Sequence, residues 1–352
     1  MNIGSIIHLS ISWLLIIAVL LPFVRNDYWV FRILEYPRYQ KFILCCICLA
    51  GFIFLGKMDH VFTLVTCILL GLCVIYLAYK ISPYTKLARL EMKSIRAGNN
   101  KDQIKLFSAN VYQKNTQYQK MITQIRQCDP DVIMLLETDT AWENEMDVFI
   151  KDYPHYLKAP LSNTYGMLFY SKLEIAGGTI KFLVEKDVPS IDATIKLPSG
   201  QLIKIWGLHP KPPVPGEDNR STAKDKEIMK VAFKAKDETL PVIVMGDLND
   251  VAWSYVTELF RKTSGLLDPR RGRGFYSTFS SNNWFMRFPL DYVFCSPHFG
   301  LIRMKKLEHN GSDHFAMFSH FEFKPALDNT QEKPTADAEE ISEAKKKASH
   351  PV

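Results

Sequence analysis

The sequence predicts a layered α/β or α+β domain behind an apolar N-terminal segment. Three observations predict it. Short apolar runs rich in Val, Ile and Leu alternate with helical stretches between residues 104 and 323, the pattern of sheets covered by helices. Before Tyr79 the chain is strongly apolar. From Lys324 onward it is Lys, Glu, Ala, Asp and Pro with almost no apolar groups. The expected organisation is therefore a membrane anchor over residues 1–80, a basic connector over 81–102, a folded domain over 103–323 and a disordered charged tail over 324–352.

Ile6 to Val24 is nearly as long as the ~20 residues a helix needs to cross a bilayer. It lacks the positive n-region and the small-x-small cleavage site of a signal peptide. Phe42 to Gly56 is a second, shorter apolar run, and Val61 to Tyr79 a third, uncharged and of full length. Three transmembrane helices are expected. Three spans put the first loop and the large domain on one side. That side carries Arg25, Arg32, Arg38 and Lys41, then Lys80, Lys86, Arg89, Lys93 and Arg96, against Lys57 alone opposite. The positive-inside rule makes the domain cytoplasmic and the anchor part of an inner or plasma membrane. Tyr28, Trp29 and Tyr36 suit the interface. Five of the seven cysteines lie in the apolar part; the two in the soluble part, Cys128 and Cys295, form no CxxC spacing that suggests zinc and no even framework that suggests disulfides. The net charge of +6 fits an anionic surface or polyanion without requiring one.

Strands are expected at Ile104–Val111, Val132–Leu136, Met167–Tyr170, Ile191–Leu197, Leu202–Leu208, Val242–Met245, Leu290–Cys295, Leu301–Leu307 and Phe315–Phe323. Helices are expected at Thr116–Cys128, stopped by Asp129-Pro130, at Glu217–Lys236 and around Tyr255–Phe260. The stretch Val242-Ile243-Val244-Met245-Gly246-Asp247-Leu248-Asn249 organises the rest. Four apolar residues read as a buried strand, and Gly246 frees the backbone for a sharp exit. Asp247 and Asn249, two apart, point the same way in extended chain. A carboxylate there orients a water; an amide donates to a phosphoryl oxygen. The competing reading is a strand followed by an Asx-turn.

Several apolar strands end in polar groups: Asn110, Glu137, His209, Asp247, Asn249, Asp291, Asp313 and His314. Each costs energy to desolvate unless it is paired or binds a metal. Hard oxygen ligands such as Glu137 and Asp313 suit Mg2+.

In chain order, Ser108-Ala109-Asn110, Leu136-Glu137, Gly246-Asp247-Leu248-Asn249, Leu290-Asp291-Tyr292-Val293-Phe294 and Gly311-Ser312-Asp313-His314 resemble the endonuclease/exonuclease/phosphatase superfamily. That superfamily includes deoxyribonuclease I, apurinic endonucleases, inositol-phosphate phosphatases and neutral sphingomyelinases. The resemblance covers residues 103–323 and implies a four-layer α/β (α+β) sandwich, two packed β-sheets flanked by helices. With the apolar runs it resembles a membrane-anchored prokaryotic branch.

The resemblance implies roles. Glu137 is the main metal ligand, with Asn110 and Asp313 near it directly or through water, for Mg2+ or Mn2+. Asp247 positions the attacking water, Asn249 donates to the scissile phosphate, and Asp291 orients His314. His209, stiffened by Pro210, resembles the second histidine of the deoxyribonuclease I and sphingomyelinase branches. Two histidines supply an acid and a base. Arg220 is a candidate phosphate clamp, or an ordinary helix-start arginine. The remaining histidines, among them His60, match no motif.

The reaction implied is metal-assisted hydrolysis of a phosphodiester, first as a nuclease. One alternative is a phosphodiesterase or phosphatase acting on phospholipid or sphingolipid headgroups; another is a non-catalytic membrane scaffold. Arg271 to Phe288, where arginines and aromatics mix, suits single-stranded nucleic acid. It also suits a loop with Trp284, Phe285 and Phe288 in the headgroup layer, or a surface loop whose rings pack inward.

Overall fold

The computed structural model describes residues 3–54 and 61–351. Four helices come first: α1 (Ile3–Leu20), α2 (Trp29–Ile33), α3 (Arg38–Phe54) and α4 (Val61–Ile81). The rest runs β1 (Gln103–Asn110), α5 (Tyr118–Cys128), β2 (Val132–Leu136), α6 (Thr140–Met146), β3 (His155–Ala159), β4 (Met167–Ser171), β5 (Ile175–Lys181), β6 (Ser190–Lys196) and β7 (Leu202–Leu208). It continues α7 (Thr222–Asp237), β8 (Val242–Asp247), α8 (Tyr255–Ser264), β9 (Asp291–Cys295), β10 (Phe299–Lys306), β11 (Met317–Phe323) and α9 (Ala338–Ser349).

The strands form two sheets, ordered β10-β11-β1-β2-β4-β3 and β5-β6-β7-β8-β9. The period of two sorts each strand's side chains between layers. Leu106, Met134, Ile205, Ile243 and Met245 face inward and make the core between the sheets. Phe107, Ile133 and Leu135 face out against α5 and α6. Leu208, Val242 and Val244 face out against α7 and α8. The result is the expected four-layer sandwich.

The strands that carry motifs match expectation to within two residues. Elements with no sequence signal lie at the margins. β3 and β5 are outermost strands of their sheets, and β5 contains Gly177 and Gly178 and is largely exposed. An edge strand needs no continuous apolar run, so the pattern that reveals central strands is missing. The connector is a strap rather than a free linker: Met92 is buried and Ile95 N donates to Leu301 O at 2.9 Å.

The tail expectation is corrected. Residues 338–349 form a helix opened by a capping box in which Asp337 and Glu340 bond reciprocally. Ala344 is buried in the α7–α8 core, and Lys347 Nζ lies 2.9 Å from Asp225. Few apolar groups suffice because strong helix formers, a cap and docked charges supply the rest.

α1, α3 and α4 pack around Ile16, Cys45, Leu70 and Leu77, with Ile6, Leu14, Ile47, Ile68 and Ile75 turned outward and exposed. Among the described residues two helical stretches, Ile3–Phe23 and Val61–Tyr84, are long and apolar enough to cross a membrane. The middle run, expected as a third span, is the 17-residue α3, which starts on buried Arg38, Gln40 and Lys41. Lys57 and His60 lie outside the described residues.

Candidate active site

Strand direction gathers the candidate residues at one edge of the sandwich. β1 and β2 are parallel, as are β7 and β8, so Asn110, Glu137, His209 and Asp247 all leave C-terminal ends. β9 is antiparallel to β8 and begins opposite its end, pairing Asp247 with Asp291. β11 is antiparallel to β1, so Asp313 and His314 arrive at the same edge. Asn110 continues the inward series Ile104, Leu106; Asp247 continues Ile243, Met245. The two therefore meet between the sheets.

Asn110 Nδ2 donates to Glu137 Oε1 at 2.7 Å and to Asp247 Oδ2 at 3.2 Å. Its oxygen accepts from Tyr112 N at 3.0 Å. The amide thus spaces two carboxylates and turns its N–H groups toward them. Glu137 has φ +60° and Asn249 φ +48°. Asn tolerates the left-handed region; Glu there costs on the order of 1 kcal/mol, a strain typical of functional sites. Gly246 has φ +137°, and a Cβ on it would lie 2.0 Å from Leu208 O, so only glycine permits this exit from β8.

Asp247 is fully buried and holds the following turn by accepting from Asn249 N at 2.8 Å. Asn249 Nδ2 donates to Pro210 O at 3.0 Å, tying the turn to the His209 segment. His314 Nδ1 pairs with Asp291 Oδ2 at 2.9 Å, and its Nε2 lies 3.5 Å from Asp247 Oδ2. Burial pushes the Asp247 carboxyl up; the His314 charge opposes. Burial works against a charged His314, but Asp291 and Asp247 together outweigh it and hold the imidazole well above its ordinary value. His209 goes the other way. Burial, then the charge of His314, pushes it down to about 3, so it is neutral. Its Nδ1 is buried without a hydrogen-bond partner, and its ring lies 5.4 Å from that of Tyr165.

Asp247, Asp291 and His314 are close enough to share one cation. A protonated imidazole has no lone pair to give, so this trio fits proton transfer better than metal binding. Glu137 and Asp313 fit a divalent metal. Burial raises both carboxyls, and Asp313 adds to the rise at Glu137, so two partly desolvated carboxylates repel each other. Asp313 Oδ1 is buried without a partner. Such oxygens suit a hard cation.

A model of the Endonuclease/Exonuclease/phosphatase family matches residues 107–314. The chain belongs to this family. Members of this family are generally divalent-metal-dependent, and this chain is a phosphoric ester hydrolase. The catalytic domain of human Nocturnin, with bound sulfate, aligns at TM-score 0.52 and 16% identity over 67% of this chain and 98% of its own. D. rerio TDP2 humanized by 14 mutations aligns at 0.53 and 17% identity over 63% and 99%. The mannosyl-6-phosphatase of Bacteroides thetaiotaomicron VPI-5482 aligns at 0.52 and 18% identity over 62% and 100%. These identities establish the fold alone. No curated protein matches the sequence.

Eight of the nine candidate residues of this family member reach the edge. Arg220 does not gather with them. It is exposed in a cleft shared with Arg25, Asp27 and Lys347, and its backbone bridges to Tyr28. Phe288 is buried and packs inward, one of the readings open for this loop, whereas Trp284 and Phe285 are exposed.

Sequence reasoning missed the supports. Ser312 Oγ donates to Asn110 O at 2.7 Å and accepts from His314 N at 3.0 Å, although Ser312 lies within Gly311-Ser312-Asp313-His314. Tyr36 OH, from the segment before α3, donates to Asn249 O at 2.7 Å. Glu35 O accepts from Trp253 Nε1 at 2.9 Å, and Arg38 donates to Trp253 O. A contact across 213 positions leaves no local signal.

Proposed function

We propose that this chain is a membrane-anchored, divalent-metal-dependent phosphodiester hydrolase. The observation that carries the reading is the geometry at one strand edge. His314 bridges two carboxylates, with Nδ1 2.9 Å from Asp291 Oδ2 and Nε2 3.5 Å from Asp247 Oδ2, and His209 brings a buried ring nitrogen that has no hydrogen-bond partner. An acid and a base held together serve cleavage of a phosphodiester, a contribution of ~10²–10⁴-fold.

Glu137 and Asp313 would hold the cation, which supplies charge neutralisation at the phosphoryl oxygen when bound. Asp247 orients the attacking water. Asn249 keeps one amide N–H for a phosphoryl oxygen while the other fixes it to Pro210. His314 donates to the phosphate, and its proton is available to the leaving oxygen. His209, held neutral by burial, hydrogen-bonds the phosphate, and Asp247, whose carboxyl burial raises, takes the proton of the water it orients. The bilayer reading rests on the outward apolar faces of α1, α3 and α4, and the domain division follows from it: anchor to residue 80, strap to 102, catalytic domain beyond. The basic flanks support a cytoplasmic catalytic domain.

Nucleic acid is the first substrate class. A lipid headgroup phosphodiester is the second, and one observation favours it: exposed Trp284, Phe285 and Met286 project beside the first turns of α3, where Gln40 Nε2 donates to Phe285 O at 2.5 Å. Purified full-length protein with Mg2+ should be offered plasmid DNA, RNA and phospholipid vesicles. Cleavage of one class that EDTA stops, and that Glu137→Ala and His314→Ala abolish without lowering the melting temperature, is expected. Full activity of Glu137→Ala would remove the metal assignment; no turnover of any phosphodiester would remove the reading.

A further inference from the structure

An open cleft of about 810 Å³ lies where the anchor meets the catalytic domain. None of Asn110, Glu137, His209, Asp247, Asp291 or His314 lines it, so it is separate from the catalytic edge. Lys86, Arg273, Arg287 and Lys306 line it, and among the described residues no Asp or Glu does.

These four cations differ from their neighbours. Arg261, Arg270 and Arg271 each pair with a carboxylate. Among the described residues Lys86, Arg273, Arg287 and Lys306 form no ion pair. Arg273 is held by Pro269 O at 2.8 Å, Met92 O at 2.6 Å and Ser94 Oγ at 2.7 Å. Arg287 donates to Ser280 O and Ser281 O at 3.3 Å, and Lys306 to Ser277 O at 3.0 Å. Arg287 and Lys306 share one ring, Phe315, at 5.0 and 4.4 Å. Burial, then Arg287, lowers the Lys306 ammonium. Carbonyls aim these groups but do not neutralise them, and like charges held together lack an anion.

The other wall is apolar: Tyr39, Ile43, Trp284 and Phe285. Ile43 begins the outward face of α3 that continues through Leu44, Ile47 and Ile53, all exposed. The apolar wall thus runs without a break onto the helix surface assigned to lipid. Trp284 is 80% exposed, an apolar ring turned outward beside α3. A cationic floor with an apolar exit along a helix matches an amphiphile with an anionic head, and basic pockets beside membrane helices hold such headgroups.

We propose that this cleft binds an anionic phospholipid. The phosphate lies on the side of Lys86, Arg273, Arg287 and Lys306, and the acyl chains follow Ile43, Trp284 and Phe285 onto α3. The proposal rests on the reading that α1, α3 and α4 lie in a bilayer, not on the hydrolytic reading.

The test uses the full chain in nanodiscs of phosphatidylcholine, with or without a minor fraction of phosphatidylglycerol. Lipid retained after mild detergent extraction is read by native mass spectrometry. The wild type should retain phosphatidylglycerol selectively, and Lys86→Gln/Arg287→Gln/Lys306→Gln should lose that selectivity by about tenfold or more. Lys86 is exposed and takes part in no hydrogen bond described above, so Lys86→Gln alone should weaken retention even where the triple variant misfolds. Displacement of the lipid by inorganic phosphate would show a site for a free anion and overturn the proposal, as would equal retention of both lipids. A chain that enters neither nanodisc overturns the bilayer reading and the proposal with it.

Discussion

Asp291→Asn separates a proton-holding role from mere packing. The carboxylate and His314 are both buried, 3% and 5% exposed, and bond at 2.9 Å. The amide keeps volume and shape while removing the charge. An opposite charge at this distance moves a pKa by about one to three pH units, so His314 should lose its proton about that much earlier. Asp247, 3.5 Å from the other ring nitrogen, still supports the cation and keeps the fall partial. Sign is decisive here. Wild-type His314 stays charged through neutral pH, so activity persists on the alkaline side. In the variant the alkaline limb moves toward acid, and the deficit grows as pH rises. Losing the acid should cost ~10²–10⁴ in kcat with little change in KM. The assay is hydrolysis of bis-p-nitrophenyl phosphate with Mg2+ across pH, beside NMR titration of the His314 ring and a melting curve. Wild-type kcat with an unmoved alkaline limb in a folded variant would refute the reasoning.

Three further outcomes follow from burial elsewhere. Glu227, on α7, is buried, accepts from Ser190 Oγ at 2.8 Å and is pushed up to about 8 by burial. The folded state thus keeps a proton that the unfolded chain releases near 4.5, so this stabilisation, full below 4.5, is lost as pH rises through 8. Glu227→Gln should melt above wild type at alkaline pH and with it at acid pH; a constant difference would contradict this. Arg32 is buried within 3.6 Å of Asp225 and 3.5 Å of Asp250, which keep Lys347 at 2.9 Å and Lys224 at 2.6 Å, so Arg32→Met should cost about 1.5–3 kcal/mol, the worth of one charged partner. Chemical denaturation measures it, and a cost under about 1 kcal/mol would count against the network. Truncation after Thr335 removes α9 and the Lys347–Asp225 pair, and should lower the melting temperature while leaving turnover unchanged; absent amide protection over 338–349 in the full chain would contradict the docked helix.

The sequence by itself determined the central strands and most of the catalytic edge. Long apolar runs with a period of two mark buried strands, and a polar residue ending such a run is visible without coordinates. Asn110, Glu137, His209, Asp247, Asp291, Asp313 and His314 were legible in that way, and the resemblance added a role for each. Only the tertiary structure decided the states of these groups. Asn110 turns its NH2 to two carboxylates, and the two histidines hold opposite charge, because burial and neighbours 23 to 137 positions away set these properties. Margins were illegible for another reason. β3, β5 and α9 are half-solvated, so they carry little apolar signal and are held by partners supplied elsewhere. The same holds for Tyr36 and Arg32, which join the N-terminal helices to the turn after β8 through contacts that no local pattern encodes.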